Sequence, residues 1–198
     1  LRLFFEARAH FSGDATTIFR KALARDYPPD VEAVLREGLG DALHVTGAYD
    51  ASRQEFEQAI LLLPPNAWVQ RARLLRKEAL TLDAQRRLED SLHVLAKAEE
   101  ALNCADEHGE SWWQEWIAVQ NGTVSAYFFL GMVQPILGRT DSIRAAVEQY
   151  GTPAQRFDFY VSANMIELLR TRFAETERAM EYARLGLSAA RDSGSLLQ

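Results

Sequence analysis

One cysteine, Cys104, stands among 198 residues, so no disulfide can close within the chain. A lone cysteine also removes the zinc arrangements built on paired thiolates. It suits a reducing compartment, and a cytoplasmic location is the expectation. Histidine is scarce: His10, His44, His93 and His108 are the four, and no two stand at the spacing of a His-Glu-x-x-His metal helix. Long apolar runs are missing. The longest, Ala126–Val133, stops at Gln134 and Pro135, well short of the roughly 20 residues that cross a bilayer. No membrane partner is expected, and no charged segment followed by an apolar one marks a secretory leader. Basic residues are outnumbered, 22 Lys and Arg against 28 Asp and Glu. The net charge of −6 argues against direct nucleic-acid binding, which calls for a basic face. A phosphate-loop lysine motif and sustained period-two alternation are both lacking, so neither a nucleotide hydrolase nor a sheet is expected.

What is present is a core. Hydrophobic residues make up 47% of the chain and charged residues 25%, the balance of an ordinary folded domain. The chain opens on Leu1 inside an apolar, helix-like stretch, which fits a piece of a larger protein.

Internal repetition is the main signal. Ala33 to Asn66 reads AVLREGLGDALHVTGAYDASRQEFEQAILLLPPN, a unit of 34 residues. Leu39-Gly40, then Gly47 and Tyr49, then Phe56, Ala59 and Pro64 mark two helices joined by a short turn. Small residues at Gly40, Ser52 and Ala59 allow two helices to approach closely, with Leu39, Leu43 and Phe56 filling the space around them. Glycine inside a helix costs roughly 1 kcal/mol relative to alanine, so close approach must compensate at Gly40. On this reading Gly40→Leu is destabilising, whereas Gly40→Ala costs little. Pro64 and Pro65 end the second helix.

Looser copies flank this unit. Ala15, Phe19 and Ala22 repeat the second-helix spacing before Pro28 and Pro29. Trp68, Ala72, Leu75, Ala79 and Leu82 make one apolar helical stripe, and Leu88, Ser91, Leu95 and Ala98 make the next. Phe173, Thr176, Met180 and Ala183 repeat it near the end, closed by Gly194. Ala22 to Ala59 spans 37 residues, Ala59 to Ala98 spans 39, and Ala98 to Ala183 spans 85, room for two units. The stretch from Ser111 to Tyr150 must supply the intervening unit, with Asn121-Gly122 and Gly138 expected to interrupt its helices.

The unit at Ala33–Asn66 resembles the tetratricopeptide repeat. Leu39, Gly40, Gly47, Tyr49, Phe56, Ala59 and Pro64 fall at that family's positions, while Arg36 replaces its tryptophan and Ser52 an alanine. The resemblance implies an all-α fold, an α-solenoid of about five tetratricopeptide-like antiparallel hairpins with a superhelical twist. It sets one repeat domain over 1–198, with units near 1–29, 33–66, 67–104, 110–150 and 153–194 and ten helices, or nine if Leu1–Ala9 frays. The structural repeat positions are Leu39, Gly40, Tyr49, Phe56, Ala59, Pro64, Ala98 and Ala183.

A second resemblance covers the C-terminal half. WWQEWIAVQ, YGTPAQRFDFY and RTRFAETERAMEYARLGLSAARDSG are similar to the helical-repeat region of large bacterial regulators that carry a STAND-type ATPase. It implies a regulatory or sensory arm.

The chemistry-bearing candidates are few. Glu37-Gly38-Leu39-Gly40 holds two glycines of a dinucleotide fingerprint, but leucine takes the third place and no strand precedes it. Cys104 and His108 would lie one turn apart if that segment were helical. No catalytic residue, metal or cofactor is expected. Arg73, Arg76 and Lys77 share one side of a helix, opposite the Trp68–Leu82 stripe. By the tetratricopeptide resemblance they and Glu37, Asp41 and His44 line the concave groove. Trp112 and Trp116 share a face, which leaves Trp113 as an aromatic docking candidate.

Together these readings set a non-catalytic protein- or peptide-interaction scaffold as the expectation, a regulatory or sensor arm of a larger signalling or transcription-regulating protein. Self-association through the terminal repeats is held open. The alternative is a sensor of a small ligand, held in the groove or near the Trp-rich unit.

Overall fold

The computed structural model describes residues 14–194. Among them every regular element is helical and no strand occurs. Ten helices follow one another: α1 (14–23), α2 (Pro29–Val45), α3 (Tyr49–Leu62), α4 (Trp68–Ala84), α5 (Leu88–Asn103), α6 (Glu110–Phe129), α7 (Gln134–Leu137), α8 (Thr140–Tyr150), α9 (Pro153–Arg170) and α10 (Glu177–Asp192). Leu1–Ala9, which the sequence reading treats as a helix liable to fray, lies outside the described residues. The chain divides into two compact units, with the boundary between Ala105 and Asp106.

In the first unit, helices pack in neighbouring pairs: α2 on α3, α3 on α4, α4 on α5. Proline starts α2, where the missing amide hydrogen has no partner to lose. Asp30 and Glu32 in its first turn complement the positive end of the helix dipole. Two glycines set its packing. A Cβ at Gly40 would lie 2.4 Å from Cε1 of Phe56 on α3, and one at Gly38 would lie 2.4 Å from Cζ of Phe19 on α1. Helical residues two apart point to nearly opposite sides, so α2 receives a phenylalanine ring from each neighbour. Ser52 Oγ donates to the Gly40 carbonyl at 2.7 Å within the same buried crossing. Arg36 joins the same pair by a different bond, its Nε donating to Glu32 and its Nη1 to Glu55, each at 2.8 Å.

One helix stop recurs in both units. A residue in the left-handed region follows the helix, and the next amide hydrogen reaches back five residues to a carbonyl of the last turn. Gly47 (φ 82°) takes this place after α2, Arg86 (φ 61°) after α4, Gly131 (φ 70°) after α6 and Arg172 (φ 56°) after α9. The returning bonds run from Ala48 to Leu43 at 3.0 Å, Arg87 to Leu82 at 2.9 Å, Met132 to Tyr127 at 2.9 Å and Phe173 to Leu168 at 2.6 Å.

The second unit centres on Ile117, Val124, Ile143, Val147, Phe159 and Tyr182. α6 runs without a break through Asn121-Gly122, contrary to the expected interruption. Asn121 Nδ2 donates to the Gln155 carbonyl on α9 at 3.1 Å, and the flanking Val119 and Val124 are buried. Packing on both sides therefore outweighs the glycine's poor propensity. The break does come at Gly138, between the short α7 and α8. α9 opens with a capping box: Thr152 Oγ1 accepts from the Gln155 amide at 3.2 Å, and Gln155 Oε1 accepts from the Thr152 amide at 3.1 Å.

The last pair corrects the register read from sequence. α10 faces α9 with Ala179, Tyr182, Gly186 and Ala189, which are buried, whereas Ala183, Met180 and Phe173 are exposed. Gly186, beside the Tyr160 side chain, is the small residue at this crossing. Met180 and Ala183 lie on the other face of α10, and Phe173 sits in the connection before the helix rather than on it. Alternative apolar stripes on one helix look alike in sequence, and the tyrosines at 160 and 182 decide which one turns inward.

A groove between α2 and α4

The first unit brings α2 and α4 side by side and leaves a groove of about 220 Å³ between them. Its floor is apolar: Ala33 and Val34 from α2, Leu63 and Ala67 from the α3–α4 connection, and Leu74 from α4. Val34 is 65% exposed, unusual for a valine beside other apolar side chains. Glu37 and Arg73 belong to both the groove wall and the charged cluster that continues along the two helices.

That cluster is built from two pairs at helical spacing. Glu37 and Asp41 lie one turn apart on α2, as do Arg73 and Lys77 on α4, so both pairs project from one side of their helix. Arg73 Nη2 donates to Glu37 Oε2 at 3.2 Å, and its Nε stands 3.1 Å from Glu37 Oε1. Lys77 Nζ bridges the two acids, 2.8 Å from Glu37 and 2.6 Å from Asp41. It also lies 6.0 Å from the Phe56 ring centroid. Glu37 and Lys77 are the shielded members, while the Arg73 side chain stays 43% exposed. An exposed pair contributes about 0–1 kcal/mol. The chemical consequence is that the Arg73 fork has one edge held by Glu37 and its remaining surface open at the groove. A planar fork so held is oriented for a second carboxylate.

The other candidates fall elsewhere in this neighbourhood or away from it. Arg76 is half-buried on α4. His44, near the end of α2, sets its ring edge-on to Tyr49 at 5.4 Å. Pro64 is exposed in the α3–α4 connection, where its carbonyl accepts from Ala67. Val34, Leu63 and Gln70 were missed by the sequence reading. The available signal was Val34 itself, an apolar residue one turn before Glu37 on the charged side of the helix.

Trp113 lies in the second unit and is half-buried, stacked on Tyr150 at 4.4 Å with the planes 10° apart. Trp112 is buried and stacks on His108 at 3.9 Å. Trp113 and Trp116 both pack against the second unit's core. Cys104 caps the end of α5 and residues 105–109 are not helical, so the one-turn relation of Cys104 to His108 does not form. No family model, curated protein or solved structure matches the chain.

Proposed function

We propose that this chain is a non-catalytic protein- or peptide-binding scaffold of tetratricopeptide-like helical hairpins. In this reading it is the regulatory or sensor arm of a larger cytoplasmic signalling or transcription-regulating protein. The observation that carries the reading is the α2–α4 groove, where an apolar floor with an exposed valine runs beside an oriented arginine. Such a combination suits a peptide that seats one apolar side chain over Val34 and Leu63 and points a carboxylate at Arg73. Apolar burial supplies affinity and the charge sets register. Successive helical pairs also present a broad surface with little loss of conformational entropy on binding.

A displayed library of random 12- to 15-residue peptides, selected on the immobilised chain, tests this (length about one groove, roughly 20 Å of helix or twice that extended). Enriched peptides share an apolar residue and an acidic one at fixed spacing. Val34→Glu and Arg73→Ala each weaken their binding at least tenfold, with helicity and melting temperature unchanged. Enrichment no better than on an unrelated helical protein, or binding indifferent to both substitutions, overturns the proposal.

A further inference from the structure

Three polar groups lining the α2–α4 groove are left unused by the folded chain. Asp30 and Gln70 are exposed and have no hydrogen-bond or ion-pair partner among the described residues. Glu32, on the next turn position of α2, is by contrast taken up by Arg36. The third group is the open edge of Arg73, whose other edge Glu37 holds. Their order along the groove follows from the pairing of the two helices. Glu37 pairs with Arg73 and Asp41 with Lys77, so the contact advances by four residues on both helices together, and α2 and α4 run in the same direction. By the same offset Asp30 lies at the end of the groove lined by Pro64 and Ala67, and Arg73 lies at the other end. Asp30 to Glu37 is seven residues of α2, about 10 Å of helical rise, with Val34 about 6 Å along that path. The two charges stand on opposite walls, Asp30 on α2 and Arg73 on α4.

We propose that the groove selects an extended peptide segment by three side chains in fixed register: a cation, an apolar residue two positions on, and a carboxylate three positions on, in either chain order. The inference rests on the scaffold reading and names the partner that reading leaves open. An extended chain advances about 3.3 Å per residue and points alternate side chains to opposite sides. Two residues cover about 6.6 Å and return to the same wall, so a cation at Asp30 brings the apolar side chain over Val34. Three residues cover about 10 Å and cross to the other wall, so the carboxylate arrives at the open edge of Arg73. Gln70, one turn before Arg73, offers a donor and an acceptor to the segment's main chain. A helical ligand does not fit in the same way. A helix 10–12 Å across occupies roughly 800 Å³ over this length, against about 220 Å³ in the groove. The opposed charges also fix orientation, because a segment turned end for end would set its cation against Arg73 and its carboxylate against Asp30.

Fluorescence anisotropy of the whole chain with short, end-capped peptides tests the register. The peptides carry the core Lys-Ser-Leu-Glu, or its reverse Glu-Leu-Ser-Lys, in a Gly-Ser frame. The better of the two binds at least tenfold more tightly than its counterpart with serine in place of lysine. One extra serine between leucine and glutamate removes that advantage, because it returns the carboxylate to the α2 wall. Asp30→Lys reverses the preference, so that Glu-Ser-Leu-Glu binds more tightly than Lys-Ser-Leu-Glu, with helicity and melting temperature unchanged since Asp30 is exposed. Equal binding of the lysine and serine peptides overturns the register, as does tolerance of the extra residue or a lysine preference that survives Asp30→Lys. In those cases weakening of every peptide by Arg73→Ala leaves the scaffold reading standing. Binding of none of the peptides, or binding indifferent to Arg73→Ala, removes the groove as a site and the register with it.

Discussion

At Gly40 the decisive quantity is a distance. An added methyl would lie 2.4 Å from the Phe56 ring, and that ring is 1% exposed, so it has nowhere to move. The sequence reading, which allowed Gly40→Ala at little cost, had the helix propensity right and the crowding wrong. Gly40→Ala is expected to destabilise by about 1–2 kcal/mol and Gly40→Leu by about 3 kcal/mol, since overpacking forces the crossing apart. Chemical denaturation of both variants checks the order, and an alanine variant as stable as wild type would contradict it. Ser52 belongs to the same point of contact. As a substitute for alanine it looks like a flaw in the repeat, yet its hydroxyl bonds the Gly40 carbonyl, which sequence spacing cannot reveal.

Among the elements, the helix stops separate what was legible from what was not. Gly47 reads directly as a left-handed stop, because glycine alone meets that conformation without strain. Arg86, 39 residues later, takes the same backbone conformation with the same returning bond, and nothing in an arginine announces it. Arg86→Gly is therefore expected to stabilise the chain by about 0.5–1 kcal/mol, because glycine adopts the left-handed conformation without strain. Thermal unfolding followed by circular dichroism gives the answer, and a lower melting temperature would show that the arginine side chain outweighs the strain. The capping box at Thr152 and Gln155 is the opposite case: its three-residue spacing stands in the sequence, and the structure uses both halves of it.

For the whole molecule, acid titration has two limbs with opposite signs. Burial raises Glu78 above its ordinary 4.5, with Glu57 adding to it, and burial raises Asp83 above 3.8. A raised carboxyl binds its proton more tightly in the folded state, so stability increases as pH falls through the folded value. Glu167 moves the other way. It is held below 4.5 first by its hydrogen bond from Arg170, and its side chain is only 6% exposed. Its contribution is present above 4.5 and lost as pH falls further. The melting temperature is expected to rise as pH falls from 7 toward the carboxylate range and then to fall at lower pH. Asp83→Asn flattens the rise and Glu167→Gln the fall. A profile that declines steadily from pH 7 would contradict the assignment. On the alkaline side Tyr160 is pushed up to about 12, first by burial and then by its bond to Glu148, so its contribution is lost as pH rises past 10.

Helix content and helix ends were determined largely by the sequence itself, because periodicity, proline and glycine act over a few residues. Pro28-Pro29, Gly47 and Pro64-Pro65 punctuate the first unit in chain order, and the stripe through Trp68 and Leu82 turns the correct face inward on α4. Tertiary structure decided what depends on comparing partners. Whether Asn121-Gly122 breaks a helix was settled by the Gln155 carbonyl on α9, thirty-four residues away. Which of two stripes on α10 is buried was settled by the size of Tyr160 and Tyr182 against Gly186. In the charged cluster, Glu37, Asp41, Arg73 and Lys77 could be singled out residue by residue, but their mutual pairing across α2 and α4 could not. Two turns of one helix can meet two turns of another only after α3 has set the distance between them, and that distance rests on one phenylalanine ring lying against a glycine.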